Sequence, residues 1–149
     1  MKIIKENAAF LSNSEVLALL KGLQSDKKGG KASGPRTVPN LATVSYETVT
    51  YLEGTACLRQ TPEHIEDFLR QISELPIKLT KIEKLNLLNH RPTSPVEIQL
   101  LIEESEERLT DEDINTILDL VERTLPPRED EEPVDEEGDE AEDEESMQE

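Results

Sequence analysis

The chain has 149 residues, enough for one domain of ordinary size with short accessory segments but not for two. Hydrophobic and charged residues are equally frequent at 34% each, and with no Trp, two Phe and two Tyr any core must be built from Leu, Ile and Val. The formal charge of -18 is uneven: residues 128–149 hold 14 of the 34 acidic residues and one of the 16 basic ones, and the net -5 left on the remainder argues against tight non-specific DNA binding, which needs Lys and Arg to neutralise phosphates.

In chain order, the first eleven residues contain Ile3, Ile4, Phe10 and Leu11 without a helical repeat, which fits a short strand or extended arm completed by a partner. Ser12-Asn13-Ser14-Glu15 then has the spacing of a capping box, and Val16, Leu19, Leu20 and Leu23 follow at helical spacing. Residues 25–40, with Gly29-Gly30, Gly34-Pro35 and Pro39, read as a flexible loop or linker. A second helix is predicted over about residues 42–53, ended by Gly54.

Four further helices begin at recognisable caps. Thr61-Pro62 precedes Ile65, Phe68, Leu69 and Ile72. Thr80 to Glu83 forms a second capping box ahead of Leu85 and Leu88, with Pro92 stopping the segment, and Ser94 to Glu97 forms a third ahead of Ile98, Leu101 and Ile102. Thr110-Asp111-Glu112-Asp113 opens the last helix, whose buried face should be Ile114, Ile117, Leu118, Val121 and Leu125. Pro126-Pro127 ends it, and the acidic remainder lacks the apolar surface to offset chain entropy.

The expected organisation is therefore all-α. Residues 1–24 form an arm and first helix that bind a partner, 25–40 a linker, 41–126 a helical bundle domain, and 127–149 a disordered acidic tail. The partner-facing residues are expected to be Ile3, Ile4, Phe10, Leu11, Val16, Leu19 and Leu20.

An enzyme of this size should show a nucleophile with a base, a metal cluster or a phosphate loop. His64 and His90 are the only histidines and Cys57 the only thiol, too few for a four-ligand structural zinc site, and a Cys57/His90 dyad is outweighed by structural roles for all three. Gly29-Gly30-Lys31 lacks the spacing of a phosphate loop. Glu103, Glu104, Glu106 and Glu107 lie on a predicted helix without calcium-loop spacing, and a solvated face is the better reading. No catalytic residue, cofactor or metal site is expected. Lys78, Lys81, Lys84 and Arg91 form the one local concentration of positive charge, a candidate RNA-facing patch weighed against simple surface solubility.

The longest apolar run, Val16 to Leu20, is far short of the roughly 20 residues that span a bilayer. The N-terminus has no secretory h-region, and a lone cysteine suits a reducing compartment. Membrane insertion is not expected.

The run Leu85 to Pro92, followed by Val96 to Leu100 and Ile102 to Thr110, resembles the stalk subunit of RNA polymerase III, a family also described as calcitonin gene-related peptide receptor component proteins. Leu11 to Asn13 with Glu15-Val16, and Thr43 to Leu52 with Tyr46-Glu47-Thr48 and Tyr51, extend the resemblance over about residues 8–125. It implies a helicase-and-RNase-D C-terminal (HRDC)-like helical domain over roughly residues 55–126, preceded by an arm and helices that grip an OB-fold partner subunit. It further implies a non-catalytic role on the polymerase core, in transcription initiation of small RNAs such as tRNA and 5S rRNA, with weak RNA contact through the heterodimer. The implied location is the nucleus, with a cytoplasmic pool. A free nucleic-acid-binding helical module and a receptor-associated signalling adaptor are the alternatives.

Overall fold

The computed structural model describes residues 9–28 and 39–128. Among the described residues it forms helices α1 (Asn13–Lys28), α2 (Pro39–Glu53), α3 (Pro62–Glu74), α4 (Lys81–His90), α5 (Pro95–Leu101), α6 (Ser105–Arg108) and α7 (Asp111–Thr124), with a 3-10 turn at Ala56–Arg59 and no strand. The all-helical expectation holds. Ile3 and Ile4, the central part of the expected linker and nearly all of the acidic tail lie outside the described residues.

The caps are local devices, and most form as the spacing predicts. At Ser12 the hydroxyl accepts the Glu15 amide (3.2 Å) while the Ser12 amide donates to the Glu15 carboxylate (2.7 Å), satisfying two amides that a helix start leaves without partners. Thr80 with Glu83 and Thr110 with Asp113 repeat the arrangement. At Thr61 the box is completed by a histidine, the Thr61 amide donating to His64 Nδ1 (3.2 Å). At α5 only half of the predicted box forms. Ser94 caps Glu97 (3.4 Å), but the Glu97 carboxylate turns to the Thr93 amide at 2.6 Å.

Three boundaries differ from expectation. α1 runs on to Lys28, and α2 starts at Pro39, so both ends of the expected 25–40 loop are helical. Gly29 is the first real stop signal, and proline is well suited to a first helical position. The segment after α5 breaks, with Glu104 in the left-handed region (φ 51). Carboxylates at 103, 106 and 107 would repel at i, i+3 and i, i+4 in one continuous helix, and the bend frees the Glu103 carbonyl to accept Arg108 Nη1 at 2.8 Å. The described chain also continues past Pro127. Arg128 Nη2 donates to the carbonyls of His90 (2.8 Å) and Arg91 (2.6 Å), so the described body reaches two residues past the expected boundary at 126.

α3, α4, α5 and α7 enclose the main core, in which Phe68, Ile72, Leu87, Leu88, Ile98, Ile117 and Val121 are completely or almost completely buried. The predicted faces are recovered except that Leu69 is exposed, and Leu87 and Leu120 are buried without having been expected. A smaller cluster of Leu17, Val49, Leu52 and Cys57 joins α1, α2 and the 3-10 turn. Three hydrogen bonds tie the clusters together: the Asn13 amide to Asn89 Oδ1 (2.9 Å), the Ser14 hydroxyl to the Gln60 carbonyl (2.9 Å), and Gln60 Nε2 to the Leu88 carbonyl (2.8 Å).

The bonds of Arg128 make a sharp prediction about the C-terminus. The last carbonyls of α4 lack partners within the helix, and Arg91 holds a left-handed backbone (φ 46) there, a conformation costing a non-glycine residue about 1–2 kcal/mol. A chain ending at Arg128 should melt like the full-length protein, because residues 129–149 offer acids and almost no apolar surface. A chain ending at Pro127 should lose about 1.5–3 kcal/mol, as hydrogen bonds to charged groups are worth. Thermal unfolding of the two truncations distinguishes them, and equal melting would show that Arg128 does not brace the corner.

Candidate partner-binding face

The amphipathic stripe of α1 and the face that α1 packs at home are not the same. Leu17 is the buried residue, with Val16 and Leu20 half-buried beside it against the smaller cluster. Leu19 and Leu23, four apart and hence on one ridge, stay 55% and 51% exposed. The stripe read from the sequence is thus rotated away from the protein's own core, and its outer half has no cover among the described residues.

α2 continues this surplus. Val49 and Leu52 pack inward, whereas Leu41, Val44, Tyr46 and Tyr51 are exposed. Phe10 and Leu11, in the extended segment before α1, are exposed as well. Exposed apolar groups gathered on neighbouring elements mark interaction surfaces more often than single ones do, and tyrosines are enriched at such surfaces. Of the expected partner-facing residues, Phe10, Leu11 and Leu19 lie on the exposed side, and Val16 and Leu20 are partly used in the fold. Leu23, Leu41, Val44, Tyr46 and Tyr51 were not among the residues expected to face a partner. Their signal was present in the sequence, since α2 carries apolar residues round more than one face, which in a helix calls for cover on more than one side.

The basic residues expected to face RNA have different surroundings. Lys78 and Lys81 are exposed, but Lys84 donates to the Ser73 hydroxyl (3.1 Å). Arg91 is only 5% exposed and directs its Nε to the Leu125 carbonyl at 3.4 Å. This removes Arg91 from the expected RNA-facing group and makes it a brace between the α4–α5 corner and the end of α7. Pro92 disfavours the right-handed helical region for the residue before it, and Arg91 meets that restriction with the left-handed conformation that ends α4.

The strongest electrostatic feature is a pair far apart in sequence. Arg108 meets the Glu83 carboxylate through both guanidinium ends, at 2.6 and 3.1 Å, and also donates to the Lys78 carbonyl (3.0 Å). Glu83 is 7% exposed, and the Arg108 hydrogen bond overcomes burial to hold its carboxyl down to about 2. Such bidentate pairing serves structure here, since Glu83 is at the same time the cap of α4.

A cleft of about 520 Å³ separates the end of α2 from the end of α4, lined by Asn13, Tyr51, Thr55, Asn89, His90 and others. His90 Nδ1 lies 2.9 Å from the Asn86 carbonyl. Cys57 is buried with its Sγ directed to the Leu52 carbonyl (3.4 Å), whereas His90 is exposed, so the two are occupied separately. Among the described residues no group of three or more His, Cys, Asp or Glu is arranged to hold a metal ion, and no helix is long and apolar enough to cross a membrane.

The sequence profile described as RNA polymerase Rpb4 matches residues 10–125. The chain is 31% identical over 131 residues to the DNA-directed RNA polymerase III subunit rpc9 of Schizosaccharomyces pombe, covering 85% of this chain and 100% of that relative. It is 24% identical over 159 residues to the DNA-directed RNA polymerase III subunit RPC9 of Saccharomyces cerevisiae, covering 81% and 98% of the two chains. The Dictyostelium discoideum DNA-directed RNA polymerase III subunit rpc9 is 32% identical over 114 residues, covering 73% and 81%.

Proposed function

Because the chain belongs to the RNA polymerase Rpb4 family, we propose that it is a non-catalytic stalk subunit of RNA polymerase III. In this reading it pairs with an OB-fold subunit, joins the polymerase core in the nucleus and supports initiation on genes for small RNAs such as tRNA and 5S rRNA. The observation that carries the assembly is the apolar surface of α1 and α2, where Leu19, Leu23, Val44, Tyr46 and Tyr51 remain exposed beside Phe10 and Leu11. Among the described residues the main core is closed by α3, α4, α5 and α7, and none of them covers that surface. Ile3 and Ile4, outside the described residues, are assigned to the same contact from the sequence alone.

A free nucleic-acid-binding module draws less support. The body carries excess negative charge, Arg91 is internal, and phosphate binding depends on accessible cations, so RNA contact belongs to the heterodimer rather than to this chain alone. The receptor-adaptor reading has no counterpart in the names of the polymerase relatives.

Co-expression with the OB-fold subunit tests the proposal. Leu19→Ser combined with Leu23→Ser, or deletion of residues 1–11, should abolish the heterodimer on size exclusion, with α3 to α7 still folded by circular dichroism. Undiminished pairing in both variants would exclude α1 and the arm as the partner-binding face.

A further inference from the structure

The cleft of about 520 Å³ between the ends of α2 and α4 lies where the two packed units of the described chain meet. The cluster of α1, α2 and the 3-10 turn is separate from the main core, and polar groups at helix ends close the seam between them. The Asn13 amide, one of those that the start of α1 leaves without a helical partner, donates to Asn89 Oδ1 of α4 (2.9 Å). Gln60 Nε2 donates to the Leu88 carbonyl near the end of α4 (2.8 Å). Asn13 and Asn89 both line the cleft, so the seam is open to anything that enters it.

The cleft also continues the apolar face of α1 and α2. Tyr51 belongs to both: it is 71% exposed, lines the cleft, and stands seven residues after the exposed Val44, hence on the same side of α2. Asn13 stands two residues after Leu11, which is exposed together with Phe10. A partner lying across Leu19, Leu23, Val44 and Tyr51 therefore meets the mouth of the cleft.

The chemistry of the wall selects what enters. Its oppositely charged side chains are already engaged, Glu53 with Lys21 at 2.8 Å, and Arg128 with the carbonyls of His90 and Arg91 and with Glu97. What the wall still offers is neutral: the carboxamide of Asn13, Nδ2 of Asn89 and the hydroxyl of Tyr51, none of which has a hydrogen-bond partner among the described residues. Such groups match the N–H and C=O groups of a polypeptide main chain.

Resting on the assignment of α1 and α2 to the OB-fold subunit, we propose that the same subunit inserts a polypeptide segment into this cleft. The main chain of that segment hydrogen-bonds to Asn13, Tyr51 and Asn89. One partner thereby touches both packed units and holds the main bundle against α1 and α2.

The test measures the affinity of the full-length chain for the OB-fold subunit by titration calorimetry, in the unaltered protein and in two variants. Asn13→Ala removes only the carboxamide, because the bond to Asn89 comes from the main-chain amide. Gly54→Phe fills the cleft that Gly54 lines. The backbone there is outside the left-handed region, and an added Cβ meets nothing closer than the Tyr51 carbonyl at 3.6 Å, so the new side chain is accommodated. Gly54→Phe should weaken pairing about tenfold or more, and Asn13→Ala about threefold or more, as loss of one hydrogen bond does. Neither should lower the melting temperature of the chain alone; should Gly54→Phe do so, Asn13→Ala decides. Unchanged affinity in the variants, with Leu19→Ser and Leu23→Ser together still abolishing pairing, would overturn the cleft proposal and leave the α1 and α2 face standing. Absence of pairing by the unaltered chain would overturn both. Binding of single-stranded RNA that is lost in Gly54→Phe while pairing is unchanged would identify nucleic acid as the occupant and also overturn the proposal.

Discussion

Replacing Phe68 with alanine is expected to destabilise the protein by about 3–5 kcal/mol, the range for deleting a fully buried aromatic side chain. Phe68 is completely buried in the cluster that joins α3, α4, α5 and α7, and it is one of only two phenylalanines in the chain. Around it stand branched aliphatic residues held by helices whose starts are fixed by caps, so the walls cannot collapse far into the cavity. Domains of this size are stable by about 5–15 kcal/mol, and the loss would remove a large part of that. Ile98→Ala, also at a fully buried site, should cost about 2–5 kcal/mol. His90→Ala should cost much less, because His90 is exposed and its carbonyl, which accepts Arg128, survives the change. Urea unfolding of the three variants gives the order directly. A His90→Ala loss equal to that of Phe68→Ala would contradict the placement of the core.

Arg108→Ala should also destabilise the protein, though by less than breaking a fully buried ion pair would, because Glu83 is buried while Arg108 is open to solvent. The change would leave the Glu83 carboxylate buried with only the Thr80 cap for company and would free the carbonyls of Lys78 and Glu103. The same pair predicts an acid response. The Glu83 carboxyl lies near its ordinary 4.5 when unfolded and at about 2 when folded. A depressed carboxylate contributes stability that is fully present above the unfolded value and is lost as pH falls through the folded one. The protein should therefore weaken between about pH 4.5 and 2, and Arg108→Ala should flatten that decline. Glu97, lowered chiefly by the Thr93 amide, and Asp113, lowered by the Thr110 amide, add to the same window but are untouched by the variant. If stability declined in parallel for both proteins, Glu83 would not be the group responsible.

These two predictions stand at opposite ends of what the sequence discloses. Phe68, Ile72, Ile98, Ile117 and Val121 are legible because helical spacing and capping signals are local: a Thr or Ser three residues before an acid shows where a helix begins, and the periodicity shows which side is inward. The Glu83–Arg108 pair is not legible, since it joins residues 25 apart through packing that no local pattern encodes. Glu83 was recognisable as a cap, and its second partner was not. Arg91 failed for a related reason. Its charge suggested the surface, but the turn ahead of Pro92 directs it towards Leu125. The partner face was half legible. The α1 stripe was visible, but which half of it the protein itself covers depends on where α2 and the 3-10 turn place Val49, Leu52 and Cys57.

The central claim, that this chain is a subunit of RNA polymerase III, is tested most directly by affinity purification of the tagged full-length protein from nuclear extract, with quantitative identification of what co-purifies. The account predicts an OB-fold subunit and the polymerase III core in amounts comparable to the chain itself, both lost with Leu19→Ser and Leu23→Ser. Recovery of the chain free of polymerase subunits, or with equal amounts before and after those substitutions, would contradict it.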